Sequence, residues 1–158
     1  MLEYEYSFVV KNIRPYIEYC ENEGYSKISE NTQIRELFIS PNKILARITK
    51  NITENEDKIV LDFKDDNDSE DILKSSKESL PLQINESDRE TVNSILDILG
   101  YKKNKYLERK RIVYKKGNVK FEIDEYFAPE IMYVIGIEGE KILVDEIYNS
   151  LLQKMKGW

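Results

Sequence analysis

A chain of 158 residues with 41% hydrophobic content is long enough for one domain with a sizeable core, burying about 70% of the surface its unfolded form exposes. Its 30 acidic residues outnumber 24 basic ones for a net charge of −6, which argues against general electrostatic binding to nucleic acid and requires any anion site to be enclosed or focused. Cys20 is the sole cysteine and histidine is absent, so disulfides within the chain, cysteine–histidine zinc sites and histidine-based triads or general bases are excluded, leaving carboxylates, Lys, Arg, Tyr or a hard metal ion to carry any chemistry.

Residues 2–9 (LEYEYSFV) alternate as a strand. Strand side chains rise about 3.3 Å per residue and alternate in direction, so Glu3 and Glu5 share a face with bases roughly 6.6 Å apart. Their carboxylates can converge on one divalent ion, although an alternating acidic strand also serves as the wet face of a sheet. Residues 12–25 place Ile13, Tyr16, Ile17 and Cys20 at helical spacing, with Pro15 in the first turn and Gly24 at the end. Residues 33–40 and 43–49 read as a hairpin around Pro41-Asn42, and residues 58–64 (KIVLDFK) as another strand. The acidic run 65–71 (DDNDSED) reads as a surface loop.

In the second half, residues 80–84 form a strand that Pro81 confines to an edge. Ser87 and Glu90 form a capping box for a helix whose stripe is Val92, Ile95, Leu96 and Leu99, stopped by Gly100. Strands 106–114 and 119–126 are joined by a turn containing Gly117, residues 132–138 form a further strand, and residues 140–155 a closing amphipathic helix. No linker divides residues 1–158, so a single α+β domain is expected. There is no apolar run long enough to span a bilayer and no cleavable leader, which points to a cytoplasmic protein without a membrane partner.

Parity places the cations. In 43–49 the odd residues Lys43, Leu45, Arg47 and Thr49 share a face, in 58–64 the even residues Lys58, Val60, Asp62 and Lys64 do, and in 107–114 Arg109 and Arg111 project together. The opposite faces carry Ile44, Ala46 and Ile48 on one strand and Ile59, Leu61 and Phe63 on another. A sheet facing water also carries Lys or Arg at every second position, but here both faces are committed, as in a barrel with a polar lumen.

The order of these elements resembles the CYTH superfamily, the triphosphate tunnel metalloenzymes that include class IV adenylyl cyclases and thiamine triphosphatases. The likeness runs through the Glu3-x-Glu5 strand, Gln33 to Phe38, the strand containing Arg47, Phe63-Lys64, Leu99-Gly100-Tyr101, the run Arg109 to Tyr114, Phe121 to Glu125, and Ile137-Glu138-Gly139. It implies an antiparallel eight-stranded β-tunnel with flanking helices, Mg2+ or Mn2+ held by inward acids, and a nucleotide or other triphosphate clasped by inward Lys and Arg. Carried over position by position, it assigns Glu3, Glu5, Glu122, Asp124 and Glu138 to metal, Arg47, Lys64, Arg109 and Arg111 to the triphosphate, and Glu5, Arg109 and Arg111 to catalysis. Lys43 and Lys58 share faces with these cations, and Lys74 and Lys77 lie near a basic position of the family. Two departures stand out. Ser7 replaces the lysine of the family's Glu-x-Glu-x-Lys opening, and Gly136 replaces the first acid of its closing Glu-x-Glu.

These features fit a divalent-metal-dependent enzyme acting on a nucleoside or organic triphosphate, as hydrolase or cyclase. They also fit a degenerate tunnel that binds a nucleotide or polyphosphate without turnover, and an unrelated interaction domain with solvated charges is the third reading. No nucleic-acid partner is expected, and a homodimer is compatible with the sequence. Tyr4, Tyr6, Phe38 and Tyr114 are the aromatic candidates for stacking on a ligand ring.

Overall fold

The computed structural model describes residues 2–65 and 72–158. Strand β1 (Leu2–Val10) is followed by helix α1 (Arg14–Asn22), then β2 (Ser26–Ile39), β3 (Ile44–Ile52) and β4 (Asp57–Asp65). After β5 (Leu73–Lys77) and the short β6 (Leu82–Ile84) come α2 (Arg89–Ile98), the long strands β7 (Lys102–Lys116) and β8 (Val119–Ala128), β9 (Met132–Gly139) and α3 (Lys141–Met155). Among the described residues nine strands form one sheet in the order β5-β1-β9-β8-β7-β2-β3-β4-β6, every pairing antiparallel.

The expected tunnel is present as a curled sheet of nine strands, one more than eight, that continuous strand pairing does not close. Its seam is stitched beyond β5, where Lys64 and Glu78 form an isolated bridge. There the Ser79 amide donates to the Phe63 carbonyl at 2.9 Å, and the Phe63 amide donates to the Ser79 hydroxyl at 2.9 Å. Strand β5 (LKSSK) has no alternating apolar residues, so nothing in its sequence announces it. The edge position expected for the strand near Pro81 is occupied by β6, the last strand in the order.

Other differences are local. Strand β2 begins at Ser26, seven residues before the apolar alternation that marks it in the sequence, because its polar first half pairs with β7. The capping box before α2 is built by Asn85 and Asp88 instead of Ser87 and Glu90: a turn of 3-10 helix at Glu86–Asp88 precedes the α-helix, and the Asp88 carboxylate accepts from the Asn85 amide at 2.8 Å. Of the acidic run 65–71, Asp65 ends β4 instead of opening a loop, and residues 66–71 lie outside the described residues.

The helices pack on the outer surface of the curl and the apolar side chains of the strands point toward them. One core joins Tyr16 and Cys20 of α1 and Val144 and Leu151 of α3 to Ile112, Phe121, Ile123, Ile135 and Ile137. A second sets Val92 and Leu96 of α2 against Phe38, Ala46, Ile48, Ile59 and Ile84. Burying each Ile or Phe contributes roughly 1.5–3 kcal/mol, so apolar residues fix which face turns outward and the alternate residues are forced inward. No helix among the described residues is long and apolar enough to cross a membrane.

Candidate functional site

The inward residues of seven strands, with Glu78 from the seam, line a cavity of about 340 Å3, in the size range of small-molecule sites. Strand β1 contributes Glu5 and Ser7, β2 Arg35, β3 Arg47, β4 Asp62 and Lys64, β7 Arg109 and Arg111, β8 Glu122, Asp124 and Tyr126, and β9 Val134, Gly136 and Glu138. The core-facing partners of these positions, such as Ala46 and Ile48 beside Arg47 or Ile112 beside Arg111, explain why the charged set has no other direction to take.

At one end, carboxylate oxygens of Glu5, Glu122 and Glu138 lie within 4.8 Å of one another. Burial, then the Glu122 charge, raises the Glu5 carboxyl from its ordinary value to about 7, and the same two causes raise Glu138 to about 8. Three converging oxygen donors in a half-buried site could hold a hard divalent cation such as Mg2+ or Mn2+. Glu5 and Glu138 are direct cross-strand partners. Gly136 stands between Glu122 on β8 and Ser7 on β1 in the pairing registers.

The other groups form a belt of cations. Arg111 donates through Nε and Nη2 to both oxygens of Asp124 at 2.7 and 2.8 Å and through Nη1 to Glu122 at 2.7 Å. Burial works against its charge, but Glu122 and Asp124 outweigh it and hold the guanidinium pKa well up. Arg47 is held likewise by Asp62, at 2.9 Å from Nε, and by Glu78, at 3.3 Å from Nη2. Lys64 reaches Glu78 at 3.5 Å. Bidentate arginine–carboxylate pairs of this kind fix guanidinium planes in the orientation that suits a phosphate.

Two arginines are less well provided for. Arg109, 3% exposed, donates to Gln33 and to the Tyr126 hydroxyl at 2.8 Å each, lies 3.8 Å from Asp124, and has a buried Nη2 with no hydrogen-bond partner. Arg35 donates from Nε to the Thr49 hydroxyl at 2.9 Å and forms no ion pair among the described residues. Burial, then the neighbouring charges of Arg109, Arg111 and Arg47, pushes its pKa well below the ordinary arginine value. A guanidinium stays charged throughout the physiological range, so the consequence is a positive site that Asp62 offsets only at a distance.

Beyond this belt a second chamber of about 320 Å3 continues past Arg35 and Arg109 to Leu37, Leu45, Lys105 and Leu107. The lumen therefore runs from an acidic end, through cations, to a mouth that mixes apolar and basic groups.

Of the residues singled out in the sequence, Glu5, Arg47, Lys64, Arg109, Arg111, Glu122, Asp124 and Glu138 meet in the cavity. Asp124 faces the arginines instead of joining the three clustered glutamates. Glu3 shares the inward parity of Glu5 but does not line the cavity; burial and the Glu78 charge raise its pKa. Lys43 occupies the β2–β3 turn at φ 65°, and Lys58 pairs with Glu56 at 3.3 Å away from the lumen. Lys77 is exposed on β5, and the Lys74 side chain lies outside the described set. The aromatic candidates point the other way: Tyr4, Tyr6 and Tyr114 belong to the first core and Phe38 to the second, leaving Tyr126 as the ring that lines the cavity among the described residues. Arg35, Glu78 and Tyr126 are polar lining groups that the sequence reading does not single out, and Asp62 enters it only as a face-mate of Lys64. Arg35 and Asp62 carry the inward parity of their strands, whereas Glu78 follows a strand with no sequence signature.

No protein-family model matches the chain, and no curated protein does. Solved structures do. The PH1012 protein from Pyrococcus horikoshii OT3 superposes with a TM-score of 0.69 at 24% identity, covering 88% of this chain and 79% of its own. A proposed adenylate cyclase from Vibrio parahaemolyticus matches with a TM-score of 0.65 at 11% identity over 99% of this chain and 87% of its own. The RNA triphosphatase domain of a mimivirus mRNA capping enzyme matches with a TM-score of 0.50 at 14% identity over 96% and 87%. The chain thus shares the fold of these structures, a curled antiparallel sheet around a lumen with helices outside.

Proposed function

We propose that this protein is a divalent-metal-dependent enzyme acting on an organic triphosphate inside its tunnel. One observation carries the reading: three clustered carboxylates share a cavity with the buried Arg109, whose Nη2 has no hydrogen-bond partner, and with the half-buried Arg35, which forms no ion pair among the described residues. Burying a cationic donor without a partner is costly, so a site that keeps the Arg109 Nη2 in that condition, beside an Arg35 with no carboxylate partner among the described residues, favours an anion supplied from outside. With all groups ionised, as when a divalent cation replaces the protons of Glu5 and Glu138, the lining has six acids and five bases, so the cation is what lets a polyanion of roughly four charges lie beside the three glutamates.

Glu5, Glu122 and Glu138 would hold the Mg2+ or Mn2+, which when bound supplies charge neutralisation and Lewis acidity at a phosphoryl oxygen. Arg35, Arg109 and Lys64 would bind the non-bridging phosphate oxygens. Arg111, oriented by Asp124 and Glu122, would stabilise charge that builds up as a phosphorus–oxygen bond breaks, a task that depends on positioning more than on covalent chemistry. The structural neighbours described as an adenylate cyclase and an RNA triphosphatase favour the same class of substrate.

A second reading has its own support. Ser7 and Gly136 remove one cation and one anion from the family pattern, as expected of a tunnel that binds a nucleotide or polyphosphate without turnover. Thermal shift with tripolyphosphate and with ATP, with and without Mg2+ or Mn2+, tests the site, and release of phosphate, or of pyrophosphate with a cyclic nucleotide, then tests turnover. Stabilisation by triphosphate plus metal together with product release supports the enzyme. Stabilisation without product favours the binder, and no response to any combination ends both.

A further inference from the structure

Gly136 lies in the interior of β9, where a glycine weakens a strand and usually marks a close approach. Its backbone does not require glycine: the residues with positive φ among the described glycines are Gly24, Gly100, Gly117 and Gly139. The requirement is space. A Cβ at position 136 would come within 2.9 Å of Glu5 Oε1 and 3.5 Å of Glu5 Cδ, with the Glu122 Cβ at 3.7 Å on the other side. The Glu5 carboxylate therefore occupies the volume that any side chain at 136 would fill.

We infer that Gly136 is a positioning residue, whose missing side chain lets Glu5 swing over β9 and complete a three-carboxylate cation site with Glu122 and Glu138. This rests on the metal reading above and adds to it the device that builds the site in this chain. The acidic cluster does not stand alone, since the same cavity holds Arg109 at 3% exposure with a buried, unpartnered Nη2, a cationic donor that calls for an anion, and a divalent cation is commonly held between carboxylates and the phosphates of such an anion. The departure at Gly136 is thereby more than a lost acid: the third carboxylate comes from β1, where Glu5 faces Glu138. The clash that an alanine would cause is with the tip of a flexible side chain, so the strand can keep its place while the carboxylate is displaced.

Mn2+ binding, followed by electron paramagnetic resonance of the free ion, tests this on the full chain as wild type, Gly136→Ala, Glu5→Ala and the double variant. Gly136→Ala is expected to weaken Mn2+ about 10–100-fold, as is usual when the support of a metal ligand is disturbed. In the Glu5→Ala background the same substitution should have no further effect, because a residue that acts only through Glu5 has nothing left to position. Wild-type affinity in Gly136→Ala, or an equal loss with Glu5 already removed, overturns the inference and leaves the metal reading intact. Absence of Mn2+ binding by the wild type overturns both. If Gly136→Ala does not fold, Glu5→Asp/Gly136→Ala, with a shorter carboxylate arm, should fold and recover binding; its failure to fold overturns the inference, since the clash would then lie elsewhere.

Discussion

Ser7 and Gly136 are direct partners across the β1–β9 pairing, so the two positions at which this chain departs from the tunnel pattern face each other. A lysine and an acid lost from opposed positions cancel in charge, and the cavity keeps its near-balance of acids and bases. Restoring only the lysine brings the lining to six acids and six bases. Ser7→Lys adds a cation where a polyanion is to enter and is expected to tighten tripolyphosphate in the presence of Mg2+ by about fivefold, roughly 1 kcal/mol for one partly screened charge. Isothermal titration reads this directly; unchanged or weaker binding would place the anion away from β1. If product release appears only in this variant, the natural protein is the binder of the second reading.

Arg35 offers the sharpest separation of stability from function. Its charge sits near Arg109, Arg111 and Arg47 and has no carboxylate partner among the described residues, so the empty protein holds it at a cost. Arg35→Met keeps the apolar stem and removes the charge. The variant should be as stable as wild type or up to about 2 kcal/mol more stable in urea, while its thermal response to tripolyphosphate plus Mg2+ disappears. A variant that is strongly destabilised yet responds normally would make Arg35 a structural residue.

The inward charges were legible in the sequence to the extent that one rule, the twofold alternation of strands, was applied. Arg47, Lys64, Arg109 and Arg111 are legible because their neighbours Ile48, Phe63 and Ile112 demand the outer face. The same rule reaches Arg35, two residues from Gln33 on a strand whose outward residue is Phe38. It also excludes Tyr4, Tyr6, Phe38 and Tyr114 as ligand-stacking rings, because each has the parity opposite to an inward charge on its own strand. What could not be read was the seam. Strand β5 and Glu78 are held by backbone pairing to β1 and β4, and backbone hydrogen bonds leave no mark on residue type. The position of Glu5 over Gly136 was equally hidden, since it depends on two strands meeting in one register.

The raised carboxyls predict a direction for pH. Glu138 in the folded protein has a pKa near 8, above its ordinary value of 4.5, so between those limits the folded state holds a proton that the unfolded state releases. Stability from this source is full below about pH 4.5 and declines as pH rises toward 8. Glu5, raised to about 7 by burial and Glu122, acts in the same sense. In EDTA, the urea stability of wild type relative to Glu138→Gln should therefore fall from pH 5 to pH 9, and added Mn2+ should reverse the fall in wild type by replacing the protons. A difference that stays flat with pH would mean that the Glu138 carboxyl is solvated.

The two faces of β3 can be tested with adjacent residues. Ile48 is 1% exposed in the outer core beneath α2, while Arg47 turns into the cavity and grips Asp62. Ile48→Ala leaves a hole among close-packed side chains and should cost about 2–5 kcal/mol, lowering the melting temperature by roughly 4–20 °C for a chain of this size. Because the hole lies outside the lumen, the dissociation constant for tripolyphosphate plus Mg2+, measured below the melting transition, should stay within about twofold of wild type. Arg47→Met should do the reverse at the ligand, removing a cation that Asp62 and Glu78 hold ready and weakening binding about tenfold or more. If Ile48→Ala impairs the ligand and Arg47→Met does not, the curl of the sheet is inverted relative to the structure and the cavity cannot be the site.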